Sequence, residues 1–228
     1  MKRISVMVAT FLLGMATWAQ VPKADLLDVV FNDDGTATDV SAMANTVQTI
    51  GAPSVVRSLK YGINEACFKK NGLSAMADHY YRIDYGENEA FQNGLADGHS
   101  VETLVRFNLT DAYSNLVAAK SEVKPFSSHQ GGGTGIMVCK QNRGLEGNSQ
   151  QEITFLPHVG GSYCYAHSGI VPENDKYYHI VGVWDKEAGE ARIYINGQLL
   201  YTHSQAIGDY KPSSQPWFAI GGDAGNAG

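Results

Sequence analysis

Clusters of lysine and arginine are missing from this chain: its 17 basic residues are scattered among 23 acidic ones, for a formal net charge of -6 over 228 residues. A surface that grips phosphate backbones needs concentrated positive charge, which argues against nucleic acid as a partner. Long apolar runs are missing too. The most prominent, at residues 4–14, falls short of the about 20 residues that a bilayer-crossing helix needs, so no membrane span is expected. Cysteine is scarce, and Cys67, Cys139 and Cys164 make an odd set that closes one bridge at most. Cys139 and Cys164 lie inside apolar strand patterns, where a thiol behaves as a small buried hydrophobe, and their spacing fits no zinc motif.

Motifs that announce catalysis are also lacking. No serine sits in a G-x-S-x-G elbow, and among the seven histidines His158, His167, His179 and His203 fall on separate strand patterns with no H-x-x-x-H pair. The glycine-rich stretch 130–135 is followed by neither a helix pattern nor a Lys-Ser/Thr pair, so it reads as a loop or a close backbone approach rather than a phosphate cradle. Glu87 and Glu89 belong to a Gly/Asn-rich turn, while Glu102 and Glu152 each stand alone on a strand. The sequon Asn108-Leu109-Thr110 falls at a strand end and carries no argument by itself.

What is present begins with an export signal. Lys2 and Arg3 precede the apolar run, and small residues at Thr17 and Ala19 place a cleavage site after Ala19, so residues 1–19 are expected to be removed and the mature protein to be secreted, periplasmic or at the cell surface. The roughly 200 residues that remain suffice for one β domain, 20–228. Short β-branched and aromatic runs bounded by Gly, Asn, Asp and Pro recur throughout, at 26–31, 54–61, 66–69, 80–84, 99–108, 114–120, 135–140, 151–158, 162–167, 177–184, 191–195, 198–203 and 217–220. The clearest segment is the meander 177–203. Its Asn196-Gly197 pair tolerates positive φ at both central positions of a tight hairpin, and Ile193 and Ile195 oppose Arg192 and Tyr194 across the strand. Val101, Thr103, Val105 and Phe107 likewise share one face, with Leu104 on the other. Many strands without helical patterns between them must bury their apolar faces sheet on sheet or in a barrel.

The hairpin Tyr178-His179-Ile180-Val181-Gly182-Val183-Trp184-Asp185, with Gly189 and Ile193-Tyr194-Ile195-Asn196-Gly197, resembles the signature of laminin G-like domains in the concanavalin A-like superfamily. Asp39-Val40-Ser41, Tyr81-Arg82-Ile83, Ser100-Val101-Glu102, Gly135-Ile136 and Phe218-Ala219-Ile220-Gly221-Gly222 follow in that family's order, so nearly all of the mature chain is covered. The resemblance implies an all-β, two-sheet antiparallel jelly-roll sandwich. It also implies one more strand after the Ile-Gly-Gly segment, and the expectation is therefore a truncated domain whose C-terminal strand is missing.

The fold hosts lectins, adhesion modules and hydrolases alike, so function rests on the site. Glucan-cleaving members are similar in carrying closely spaced carboxylates on one strand, a pattern that this sequence does not repeat. Calcium is common among relatives, and loops with Asp33, Asp34, Asp223 and Asn226 offer the oxygens a hard cation needs, although Asx-Gly stretches also make ordinary turns. A sugar needs an aromatic face and polar partners, for which Tyr163, Tyr165 and His167, with His158 ending the preceding strand, are the candidates; packing between strands is the competing use of such a row, and Trp184 and Trp217 read as core. The leading expectation is a non-catalytic module that binds a carbohydrate or surface glycan. The alternative is the front of a larger secreted hydrolase, a phosphoesterase or glycosidase, whose catalytic domain lies beyond Gly228, and a third is a lone glycosidase using Glu102 or Glu152.

Overall fold

The computed structural model describes residues 24–68, 76–107, 113–120, 132–140, 151–213 and 217–222. The signal segment, the sequon and the candidate ligands Asp223 and Asn226 lie outside the described residues. The strands are β1 (Val29–Phe31), β2 (Ala37–Asp39), β3 (Val47–Ile50), β4 (Ser54–Arg57), β5 (Asn64–Cys67), β6 (Met76–Asp84), β7 (His99–Arg106), β8 (Tyr113–Lys120) and β9 (Gly133–Lys140). They continue as β10 (Gln151–Phe155), β11 (His158–Val159), β12 (Ser162–Tyr163), β13 (Ala166–His167), β14 (Tyr177–Asp185), β15 (Glu190–Ile195), β16 (Gln198–His203) and β17 (Trp217–Gly222). Two antiparallel sheets dominate, one ordered β13-β10-β9-β8-β17-β6-β3 and the other β16-β15-β14-β7, with three small two-stranded ribbons beside them. This is the expected all-β sandwich.

The core forms where the two sheets turn their apolar residues toward each other. Ile83, Ile136, Val138, Ile153, Phe155 and Phe218 come from the seven-stranded sheet, and Ile180, Trp184, Ala191, Ile193 and Ile195 from the four-stranded one. Gly182 is the contact point: a Cβ there would lie 2.2 Å from a ring carbon of Phe155, so the strand can approach only without a side chain. Strict alternation along β14 and β15 leaves His179, Arg192 and Tyr194 on the partly solvated outer face, as the period-2 pattern predicts. Asn196 and Gly197 both adopt positive φ, 52° and 81°, in the predicted tight reversal.

Three expectations need correction. Residues 89–96 form an α-helix, α1 (Glu89–Ala96), where no helical pattern was expected, so of the expected turn Glu87 keeps its place and Glu89 does not; Asn88 caps the helix by accepting from the Phe91 amide, and Phe91 and Leu95 reach the core one turn apart. The single strand expected over 162–167 is two, because after pairing with β11 the chain turns and β13 joins β10 instead. Trp217 is buried as expected, yet it lies opposite Phe218, on the outer side of its sheet, beneath the Arg82 guanidinium at 4.5 Å. The end of the glycine-rich segment makes the close approach expected of it, with the Gly133 amide donating to the Lys211 carbonyl at 2.7 Å.

Candidate functional site

The reversal at Gly160-Gly161 folds β12 back on β11 and sets His158 against Tyr163, edge to face, with ring centroids 4.7 Å apart. Tyr163 donates its hydroxyl to the Gly132 carbonyl at 2.8 Å. Its ring is followed by Tyr165 at 6.1 Å, and Tyr165 lies parallel to His167 at 5.5 Å. The four residues singled out in the sequence therefore do form one row. His158, Tyr163 and His167 are buried in it, however, and only Tyr165 is half-exposed, packed with Met137 and Leu156 on the outer side of the seven-stranded sheet.

Glu152 anchors the end of that row. Its Oε1 is 3.1 Å from His167 Nδ1, and its Oε2 accepts from the Gly169 amide at 2.8 Å; Thr154 Oγ1 is also 3.1 Å from His167 Nδ1. Both carboxyl oxygens are thus engaged, as a buried acid requires. His203 donates to the Tyr165 carbonyl, and burial, helped by the neighbouring His167, holds the His203 ring below the usual histidine range despite that bond.

Beyond Gly169 the chain borders a cleft of about 440 Å³ against β15 and β16. Tyr178 and Ile195 are buried in its wall and Ile170 and Leu200 half-buried, while Glu173, Lys176, Asn196 and Gln198 are exposed around it. The rim is tied in place: the Glu173 amide donates to the Tyr178 hydroxyl at 3.0 Å, and Lys176 pairs with Glu173 at 2.8 Å. His203 lies three residues along β16 from Leu200, on the order of 10 Å at strand rise, so the Tyr165 backbone stands about that far along β16 from the cleft. Apolar walls with amide, ammonium and carboxylate groups above them suit a ligand that is apolar on its ring faces and hydroxylated at its edges.

The model of the Laminin_G_3 family, described as the concanavalin A-like lectin/glucanases superfamily, matches residues 87–228. The chain belongs to this superfamily. No curated protein matches it. Among solved structures it superposes with a TM-score of 0.57 at 13% identity on botulinum neurotoxin type C, described as entering cells through interaction with two ganglioside molecules, over 87% of this chain and 42% of the toxin chain. A botulinum neurotoxin DC binding domain in complex with SialylT gives 0.59 at 16% identity, over 86% of this chain and 43% of that one. Domain 4 of AbnA, a GH43 extracellular arabinanase from Geobacillus stearothermophilus in complex with arabinotriose, gives 0.53 at 16% identity, over 89% and 85%. The chain spans less than half the length of the toxin chains it resembles.

Within this superfamily fold, Glu102 and Glu152 occupy different sheets, and each already holds an imidazole; His179 Nε2 is 2.6 Å from Glu102 Oε1. Asp33 accepts from the Asn64 side chain at 2.9 Å, and Asp34 accepts from the hydroxyl and amide of Thr36, which together hold its carboxyl below the usual range. Among the described residues no three His, Cys, Asp or Glu side chains converge as metal ligands. Sequence reasoning overlooked Asp39, the buried acid that ends β2. Burial pushes its carboxyl up, but the amides of Asp28, Ser41 and Asn45 and the Ser41 hydroxyl outweigh that and hold it low. Only its place in the family's order marked it in the sequence.

Proposed function

We propose that this chain is an exported carbohydrate-binding module, non-catalytic by itself, that takes its ligand along the β16 edge. The observation that carries the reading is the cleft, in which the buried Tyr178 and Ile195 and the half-buried Leu200 lie beneath exposed Gln198, Asn196, Lys176 and Glu173. Tyr165 offers a further aromatic face on the outer side of the neighbouring sheet, where Tyr163 and His167 flank its ring and His158 backs Tyr163. Asp33 and Asp34 retain carboxyl oxygens that a loop-bound calcium ion would use, outside the cleft.

Glycan-array screening of the mature domain, followed by calorimetry with and without calcium, tests this reading. Binding of an oligosaccharide, weakened roughly fivefold by Gln198→Ala or Tyr165→Ala with the fold intact, is the expected result. A domain that binds no glycan in either buffer would refute it.

A second reading is favoured by the likeness to a domain of an extracellular arabinanase, of which this chain covers 85%. In it, the module targets a hydrolase domain, a phosphoesterase or glycosidase, encoded downstream. Reading the coding sequence past Gly228 decides the matter, and a stop codon immediately there would remove it.

A further inference from the structure

The turn 173–176 gives Glu173 and Lys176 to the cleft and Asp175 to a second cluster, at the tip of the ribbon formed by β4 and β5. There Tyr61 and Tyr177 meet edge to face at 4.9 Å, and Lys60 Nζ lies 5.0 and 5.3 Å from their ring centroids. Tyr177 is held by its hydroxyl, which donates to Glu65 and lies 3.3 Å from Ser58 Oγ. Arg106 faces Glu65 at 3.8 Å and Asp175 at 3.3 Å, so its charge is already answered. Lys60 differs. Among the described residues no carboxylate lies within ion-pair distance of it, on a chain whose net charge is -6. Around it Leu59 is fully exposed, and Tyr61 and Ile63 are 42% and 46% exposed.

An ammonium with no ion-pair partner among the described residues, set over two tyrosine rings, is electrostatically complementary to a single carboxylate. The half-exposed Tyr61 beside it offers a flat apolar surface, backed by the Tyr177 ring that its own hydroxyl bonds hold in place. An acidic pyranose joins a carboxylate to a ring with one apolar face and, for a glycan-binding chain, meets both requirements. We propose that the β4–β5 tip is a second glycan subsite, selective for an acidic sugar unit whose carboxylate pairs with Lys60 and whose apolar face rests on Tyr61. The subsite rests on the carbohydrate-binding reading of the chain but not on the cleft, with which it shares no residue.

The test is calorimetry of the mature domain with a uronic-acid oligosaccharide and with the same oligosaccharide after reduction of its carboxyl groups. The acidic form should bind roughly fivefold more tightly, the scale of one partly exposed ion pair, and the preference should shrink at about 0.5 M salt. Lys60→Gln should erase the preference, and Tyr61→Ala should weaken both forms. Both positions are exposed, and an unchanged melting temperature checks that the variants fold. Gln198→Ala in the cleft should leave the preference intact. Equal affinities for the two forms, or a preference that survives Lys60→Gln, overturn the subsite. Failure to bind any glycan removes it together with the carbohydrate reading, whereas loss of neutral-glycan binding alone removes only the cleft. If the tip instead binds phosphatidylserine vesicles in a manner lost on Leu59→Ser, while the acidic oligosaccharide is ignored, the surface serves a membrane and the proposal is wrong.

Discussion

Two carboxylate–imidazole pairs built from the same residue types occupy opposite settings in this sandwich. Glu152 and His167 join β10 to the edge strand β13 with side chains only 3% and 4% exposed, whereas Glu102 and His179 meet on the outer face of the four-stranded sheet at 62% and 42%. The contact distances are similar, 3.1 and 2.6 Å, so the surroundings make the difference. In water the exposed pair gains little over its hydrated parts. Away from water, removing either member of the buried pair leaves the other short of a partner that water does not replace. The buried pair therefore organises the backbone around the cleft, while the outer pair decorates a face that can tolerate change.

The largest effect should come from Glu152→Ala, which strands the Gly169 amide and leaves His167 Nδ1 with the Thr154 hydroxyl alone. Urea unfolding should show a loss of about 3–5 kcal/mol; a loss no greater than that of an outer-face variant would break the comparison.

A buried imidazole with neutral partners sharpens it. His99 donates from Nδ1 to the Leu95 carbonyl at 2.8 Å and accepts at Nε2 from the Thr134 hydroxyl at 2.9 Å, and burial drives its pKa down to about 4 against the weaker pull of the Leu95 bond. Because the folded value lies below the ordinary 6.5, the unfolded chain takes the proton first. The contribution is complete above about pH 6.5 and drains away as the pH falls toward 4, on the order of 3 kcal/mol in all. Chemical denaturation across that window should show the decline, and His99→Gln should flatten it.

The smallest effect belongs to the outer pair. Glu102→Gln should cost less than about 1 kcal/mol, with the residual coupling to His179 vanishing in high salt, as a double-mutant cycle would record.

The sequence made the meander legible because β14, β15 and β16 each run long enough for alternation to show, and Asn196-Gly197 leaves little choice of turn. The three- and four-residue strands Ala37–Asp39 and Val47–Ile50 went unseen because so short a run sets up no period. The helix Glu89–Ala96 was masked by Asn93 and Gly94, although the Asn88 cap and the Phe91/Leu95 spacing were there to read. At the site, the ring row was visible because Tyr163, Tyr165 and His167 are close in sequence. The cleft was not, since it joins residues 169–178 to 195–200, and Tyr61 meets Tyr177 from far along the chain.

Asn196 borders the cleft from the two-residue reversal between β15 and β16. Its amide donates to the His179 carbonyl at 2.8 Å, and its side-chain oxygen accepts from the His179 amide at 2.9 Å. So tethered, this side of the opening behaves as a doorframe rather than a door. Association measured by stopped flow should then follow a single exponential whose rate climbs linearly with ligand concentration, without the plateau that a closing lid imposes.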